Sequence, residues 1–158
     1  MRSNVFIDVT LQVKIDNNTL NAADYFIIAL ADELARLFSS ATVYTSAQQQ
    51  GVDLPALFIN IYNITAQRQL GGAVALEFQS DVTYLPADEL ARDELISACM
   101  TMLDVPDKMP TSVGVYELKG CSAKQQDGQA QMLFRTEAVL KSPNTDTLMQ
   151  NLEQGVDL

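Results

Sequence analysis

The residues of this chain that could do chemistry are its acids, and four of them lie close together in the sequence. Asp88, Glu89, Asp93 and Glu94 place four carboxylates within seven residues, a grouping that could hold a divalent cation. Calcium sites usually draw their ligands from a rigid loop that also supplies carbonyl oxygens. These acids lie instead where a helix is predicted to begin, and the helix dipole alone favours negative side chains there. We therefore predict a helix start and no bound metal.

Other kinds of catalytic site have little support in this sequence. There is no histidine, which rules out Ser-His-Asp and Cys-His arrangements. Cys99 and Cys121 are far apart and form no CxxC motif, so we interpret them as two reduced thiols used as small apolar residues. Gly51 and the pair Gly71 and Gly72 do not have the spacing of a phosphate-binding loop. We predict that the protein is not an enzyme and uses no cofactor.

Length, composition and charge set the class of protein. A chain of 158 residues with 47% hydrophobic and 19% charged residues is typical of one globular domain, here 1–158. The net charge of −10 opposes tight binding to nucleic-acid phosphates. No apolar run approaches the roughly 18 residues of a membrane span, and residues 1–16 do not resemble a signal peptide. We expect no membrane partner.

The first half of the chain reads as a strand, a helix, a short strand and a long hairpin. Apolar residues alternate with mostly polar ones across 4–15, within an N-terminal strand or arm that spans 1–20. Asn21 is predicted to cap a helix over 22–38. Residues 41–45 are predicted to form a short strand, because they are β-branched and aromatic. Two alternating runs joined at Gly71 and Gly72 then predict a β-hairpin.

The second half repeats the pattern of helix and hairpin. A helix is predicted over 87–103, with an apolar stripe made of Leu95, Cys99, Met102 and Leu103. Residues 104–112 contain two prolines and are predicted to be a loop, and a second hairpin turns at 124–128. The tail, 143–158, is expected to form a short helix or to fray. Together these elements predict an α+β fold: a mostly antiparallel sheet with two helices packed on one face and long β-hairpins.

The surface, rather than a catalytic centre, carries the functional signal. Long polar hairpins, a glutamine-rich loop and more strands than two helices can cover are typical of a protein that binds copies of itself. The alternative on these grounds alone is a monomer whose loops are simply solvated.

Several short patterns between residues 22 and 141 are similar to those of a known family. A helix with leucines near its end is followed by a short strand, a turn, a proline and an apolar strand, and then by a returning strand, an acidic helix and a closing hairpin. The positions that carry this order are Val43, Tyr44, Gln50, Gly51, Pro55, Phe58, Ile59, Phe78, Val82 and Tyr84. On these residues the chain resembles the tail terminator, or tail-completion, proteins of long-tailed bacteriophages and prophages.

The resemblance implies a structural role in the virion. Such proteins assemble as a ring, typically a hexamer, on the last ring of the tail tube, where they stop polymerisation and form the joint to the head. The implied partners are other copies of this chain, the tail tube protein and a head-completion or connector protein. DNA would pass through without specific binding, past an acidic inner surface that repels phosphates. The implied location is the virion tail, with assembly in the host cytoplasm.

The same resemblance suggests where subunits meet. The glutamine-rich loop, residues 48–54, would be a contact surface whose uncharged glutamines donate and accept hydrogen bonds. Gly51 would supply a turn, and Pro55 would set the start of the next strand. The polar tip of the first hairpin, residues 65–72, is expected to project from the body. The predicted interface residues are Gln48, Gln49, Gln50, Gly51, Asp53, Gln67, Arg68 and Gln69. For the loop, a solvated connection with no contact role is the alternative.

A rival function comes from a different class. Small size and a sequence pI of about 4.2 also fit an acidic secretion-type chaperone that acts as a dimer on an unfolded effector segment. The order of the hairpins and the Gln-Gly-Pro loop are not typical of such chaperones. Ring formation separates the two hypotheses, and stabilisation by a small ligand would revive an enzyme.

Overall fold

The computed structural model describes residues 21–45, 51–88 and 92–141. They form two helices and a six-stranded sheet with the strand order β1-β2-β3-β6-β5-β4. In chain order the elements are α1 (Ala22–Leu37), β1 (Thr42–Tyr44), β2 (Ala56–Arg68), β3 (Ala73–Leu85), α2 (Arg92–Met102), β4 (Lys108–Thr111), β5 (Gly114–Gln126) and β6 (Gln129–Lys141).

Helix α1 begins where the sequence predicts it. The Asn21 side chain accepts a hydrogen bond from the Asp24 backbone N–H at 2.9 Å, and Asp24 Oδ2 accepts one from the Asn21 N–H at 3.0 Å. This reciprocal capping box satisfies two N–H groups that the helix start would otherwise leave without partners. Phe26, Leu30 and Leu34 then follow at helical spacing, and all three are fully buried. The predicted helix and its cap are confirmed.

Two long hairpins form the centre of the sheet. Strands β2 and β3 pair antiparallel through a turn in which Gly71 and Gly72 have φ of 81° and 82°. Strands β5 and β6 pair through Asp127 and Gly128, with φ of 57° and 77°. Two consecutive left-handed residues match the twist of antiparallel strands, so both turns suit hairpins. Each of the four strands has 13 residues.

The helices pack on one face of the sheet, where alternate residues along much of the central strands β3 and β6 are buried. Phe26 of α1 lies at the centre of this core: its ring centroid is 5.7 Å from that of Phe78, 5.5 Å from that of Tyr116 and 6.2 Å from that of Phe134. The Tyr116 hydroxyl donates to the Ala22 carbonyl at 2.6 Å and so holds the start of α1 over β5. The predicted α+β fold is confirmed.

The prediction of a loop over 104–112 is wrong in part, because it contains β4. Met109 of β4 pairs with Tyr116 of β5 and is 3% exposed, so burial of this side chain favours a strand. Pro110 fits because β4 is the edge of the described sheet, where a missing N–H costs no ladder hydrogen bond. Prolines indicate a loop in the sequence, but an edge strand tolerates them.

Helix α2 also differs from its prediction. Ala87 and Asp88 are not helical, and the helix runs over Arg92–Met102, with Asp93 and Glu94 as the acids of its first turn. Leu95 and Met102 are buried as predicted, but Leu103 is 42% exposed because the helix has already ended.

Three predictions fall outside the described residues. They are the N-terminal strand over 4–15, the tail over 143–158 and the three glutamines Gln48, Gln49 and Gln50. Their roles, and the single-domain assignment of 1–158, stay predictions. Within 21–45, 51–88 and 92–141, no helix is long and apolar enough to cross a membrane.

Candidate functional site

The predicted interface residues form two separate groups, one at each end of β2. Gly51 and Asp53 precede the strand, while Gln67, Arg68 and Gln69 lie at its far end. A strand of 13 residues spans about 40 Å, so the structure does not bring the two groups together. They are therefore two candidate contact surfaces rather than one site.

The first surface is the base of the glutamine-rich loop, residues 51–55. The Asp53 backbone N–H donates to the Tyr44 hydroxyl at 3.0 Å, and the Tyr44 ring stacks on Phe58 with centroids 5.2 Å apart. Gly51 has a φ of 78°, so it supplies the left-handed turn expected of it. Leu54 is 51% exposed. The base is thus fixed to the sheet and leaves one large apolar side chain in solvent.

The topology explains why this connection is long. Strand β1 pairs parallel to β2, with Val43 level with Leu57. Two adjacent parallel strands cannot be joined by a tight turn, because the chain must return to the end at which it started. The need for a crossover therefore accounts for the length of the loop, although not for its glutamines.

The second surface is the outer half of the β2–β3 hairpin, which we define as residues 62–72. Gln67 and Arg68 are exposed, as predicted for a projecting tip, and the Gln69 N–H donates to the Ala73 carbonyl at 2.9 Å. The sequence analysis did not predict that three apolar side chains in this segment are exposed. They are Tyr62 (53% exposed), Ile64 (55%) and Leu70 (99%).

A comparison of the lengths of helix α1 and strand β2 could have revealed this exposure. Helix α1 has 16 residues and is about 24 Å long, whereas a strand of 13 residues spans about 40 Å. The helices therefore cannot cover the hairpin to its tip. Apolar residues that continue the alternating pattern beyond the helix layer are left in solvent, and Ile64 is one of them.

The sheet face opposite the helices is polar and crossed by ion pairs. Glu137 contacts Lys119 at 3.0 Å and Arg135 at 3.1 Å, and Arg135 is also 3.7 Å from Glu77. Hydrogen bonds from Lys119 and Arg135 hold the pKa of Glu137 below its usual value, and the pKa of Lys119 is raised by the same contact with Glu137. These pairs are solvated and contribute little to stability.

This polar face shows no excess of acid. By strand register, acids and bases both face away from the helices on the described strands. The excess acid of the chain therefore lies elsewhere, so this face gives no support to the predicted acidic inner surface. The charged residues of the face include Glu77, Asp81, Glu117, Glu137, Lys108, Lys119, Lys124 and Arg135.

One acid of the polar face, Asp81, lies in the middle of the sheet. Burial raises the pKa of its carboxyl group, and hydrogen bonds from Asn60, Thr83 and Gln131 oppose the rise without cancelling it. The charged form of Asp81 is thus less favourable in the folded protein than in the unfolded chain.

A groove lies at the end of the sheet near the β2–β3 turn. It has a volume of 860 Å³ and a mixed lining that includes Gln67, Lys108, Glu117 and Val139. The lining combines charged, amide, hydroxyl and aliphatic groups. Its mixed chemistry assigns no particular ligand to the groove.

The acidic cluster is described only in part, because Glu89 lies outside the described residues. Within those residues, no group of three or more His, Cys, Asp or Glu side chains could hold an ion. Glu94 instead accepts a hydrogen bond from the Tyr84 hydroxyl at 2.6 Å and so attaches α2 to the end of β3. Cys99 and Cys121 are both free thiols, and burial raises the pKa of each.

Comparison with known proteins identifies the family. Residues 26–147 match the sequence profile of a family described as phage tail terminator protein, which covers most of the chain. No curated protein matches the sequence. The family is one of structural proteins, located in the virion tail and associated with other tail proteins, and the match gives no support to a secretion chaperone. The chain therefore belongs to the phage tail terminator protein family and has a structural role in the phage tail.

Proposed function

We propose that the protein closes into a ring of identical subunits, typically six, on the end of the tail tube. The ring stops further addition of tube subunits and presents the surface to which the head connector docks. Its partners are other copies of this chain, the tail tube protein and a head-completion protein, and it assembles in the host cytoplasm.

The exposed outer half of the β2–β3 hairpin carries this proposal. It presents Tyr62, Ile64 and Leu70 to solvent on a segment that the helices cannot reach. Exposed apolar side chains on a sheet edge promote uncontrolled association unless a defined partner covers them. Among the partners of a tail terminator, a neighbouring subunit or the tube would provide that cover.

The position of the two contact surfaces suits a cap. A cap must bind the tube at one end and must not bind another tube subunit at the other. The loop base with Gly51 and Asp53 lies at one end of β2, and Gln67, Arg68 and Gln69 lie about 40 Å away at the other. We assign one group to the tube side and the other to the head side of the ring.

The charge distribution agrees with passage of DNA. On the polar sheet face, Lys119 and Arg135 pair with Glu137, so these cations are not free to retain phosphates. The chain as a whole has a net charge of −10. DNA would therefore move past the ring without specific binding.

The proposal is tested first by mass and then by function. Light scattering on a sizing column, over a range of concentrations and salt levels, should detect a hexamer-sized species. Purified tube protein should then polymerise to shorter tubes when this protein is added, and the capped tubes should join to filled heads. A dimer at every concentration, together with tubes that grow and join heads unchanged, would contradict the proposal.

A further inference from the structure

Strand β2 has an open edge along most of its length. Strand β1 covers only Ala56, Leu57 and Phe58, and no other described strand pairs with that side of β2 from Ile59 to Arg68. The nine residues from 59 to 67 include no charge. Charged residues, above all lysine, are the usual protection of an edge against pairing with another chain. This edge lacks that protection.

Strand β5 has a second open edge on the opposite side of the sheet. Strand β4 covers it only from Gly114 to Glu117, and the Leu118 N–H donates to the Asp107 carbonyl at 2.7 Å. Beyond that point no described strand pairs with the outer side of β5 from Lys119 to Gln126. As far as the described strands go, the sheet therefore ends in two uncovered edges of similar length.

The directions of the strands make the two edges complementary. The four long strands lie in the order β2-β3-β6-β5, and each neighbouring pair is antiparallel. Strands β2 and β5 consequently point in opposite directions. If a second copy is placed beside the first by rotation about an axis along the strands, its β2 meets β5 in the antiparallel sense.

We infer that the open edge of β2 in one copy pairs antiparallel with the open edge of β5 in the next, so that one continuous sheet runs around the ring. The inference rests on the proposed function, since a closed ring needs a heterologous interface. Main-chain hydrogen bonds between the two strands join the subunits. Tyr62 and Ile64, at the β2 edge, become buried in the contact.

The two other ways of pairing copies bring like charges together or leave a strand edge without a partner. Pairing β5 with β5 brings together two edges that each carry Lys119 and Lys124, and like charges oppose each other across strands. Pairing β2 with β2 leaves β5 uncovered on every copy. Only the contact between β2 and β5 covers both edges of every subunit.

The two open segments define a register. If they overlap along their whole length, Asn63 lies opposite Ser122, and both side chains belong to the polar face. Within one copy, however, Asn63 lies level with Lys119 through Gln79 and Arg135. Neighbouring copies are therefore displaced along the strands by about two or three residues, and such a stagger accompanies the tilt of strands in closed sheets.

Directed cross-linking tests the inference. All chains carry Cys99→Ser and Cys121→Ser, which remove the two native thiols. The first variant adds Asn63→Cys on the β2 edge. The second variant adds Ser122→Cys on the β5 edge. Both positions are exposed, so the substitutions should not disturb the fold. A matched control carries Gln79→Cys, which pairs with Asn63 on the same face but lies in β3, between two other strands. The full-length proteins are mixed at assembling concentration and treated with a short thiol-reactive cross-linker.

We expect a cross-linked dimer when the first and second variants are mixed, and none from either variant alone or from the control mixed with the second. A chain with both edge cysteines should give a ladder that ends at the ring size. Dimers of the first variant alone would show β2–β2 pairing and overturn the inference. It would also be overturned by absence of the mixed dimer, for example if residues 4–15 cover the β2 edge.

The cross-linking result can be distinguished from the result that tests the proposed function, because the two are measured on different proteins. Mass and tube capping are measured on the unmodified protein. A ring that caps tubes but gives no edge cross-link would refute only the interface. A chain that neither assembles nor caps tubes would refute both.

Discussion

Replacement of Ile64 by threonine should weaken the ring without unfolding the subunit. Ile64 is 55% exposed in the single chain, so somewhat less than half of its side chain contributes to the core. Threonine keeps the β-branched shape that favours a strand, and it replaces an apolar group by a hydroxyl. By the same measure as for the exposed part, the buried part contributes about 1 kcal/mol, so we expect the free energy of unfolding of the monomer to fall by that amount or less, which leaves the subunit folded.

The expected loss in assembly follows from the area that remains to be buried. Full burial of an isoleucine side chain contributes about 1.5–3 kcal/mol. Because 55% of the Ile64 side chain is still exposed, a neighbour can add roughly half of that, or about 1 kcal/mol per interface. Loss of this contribution should raise the concentration at which half of the chains are assembled by about fivefold.

Sedimentation velocity over a dilution series measures that concentration. Val139→Thr is the matched control, because Val139 is 60% exposed and lies on β6, which other strands flank on both sides. Its assembly midpoint should stay unchanged. An unchanged midpoint for Ile64→Thr, or an equal shift for both variants, would refute the reasoning.

Three further changes test the subunit and the loop. Tyr116→Phe removes the hydroxyl that donates to the Ala22 carbonyl at 2.6 Å but keeps the ring in the core. Urea unfolding should therefore show that the free energy of unfolding falls by about 1 kcal/mol. A fall of more than about 3 kcal/mol would mean that the packing of the ring has changed. Burial raises the folded-state pKa of Asp81, so its contribution to stability is present at low pH and is lost as pH rises through that value. Asp81→Asn should therefore stabilise the protein more at pH 7 than at pH 3, and an equal effect at both would contradict this. Gln49→Glu with Gln50→Glu should weaken binding to neighbours or tube while the monomer stays folded, and unchanged assembly on tubes would exclude a contact role.

Elements whose signals are local could be predicted from the sequence. The cap formed by Asn21 and Asp24, the helical spacing of its buried residues and the glycines of the β2–β3 turn each act over a few residues. Their positions follow from the chain alone. The family resemblance also rested on such short patterns, and the profile match over residues 26–147 confirms it.

Features that depend on distant neighbours could not be predicted. Strand β4 forms because Met109 pairs with Tyr116 of β5 and because Pro110 lies on an edge strand, which tolerates proline. Neither condition can be inferred from residues 104–112 alone. The separation of the two contact surfaces depends on the length of β2, which is paired with β3 from Ala56 to Arg68. The exposure of Ile64 depends on where the helix layer ends. Each of these is decided by tertiary structure.

The open edge of β2 has a consequence for how such proteins diverge. Recognition through main-chain hydrogen bonds does not depend on which side chains follow one another along the strand. Relatives could therefore replace most residues between Ile59 and Arg68 and still join in the same geometry, provided that the alternation and strand length persist. Mutational drift would then erase the interface from sequence comparison long before it disappeared from the assembled tail.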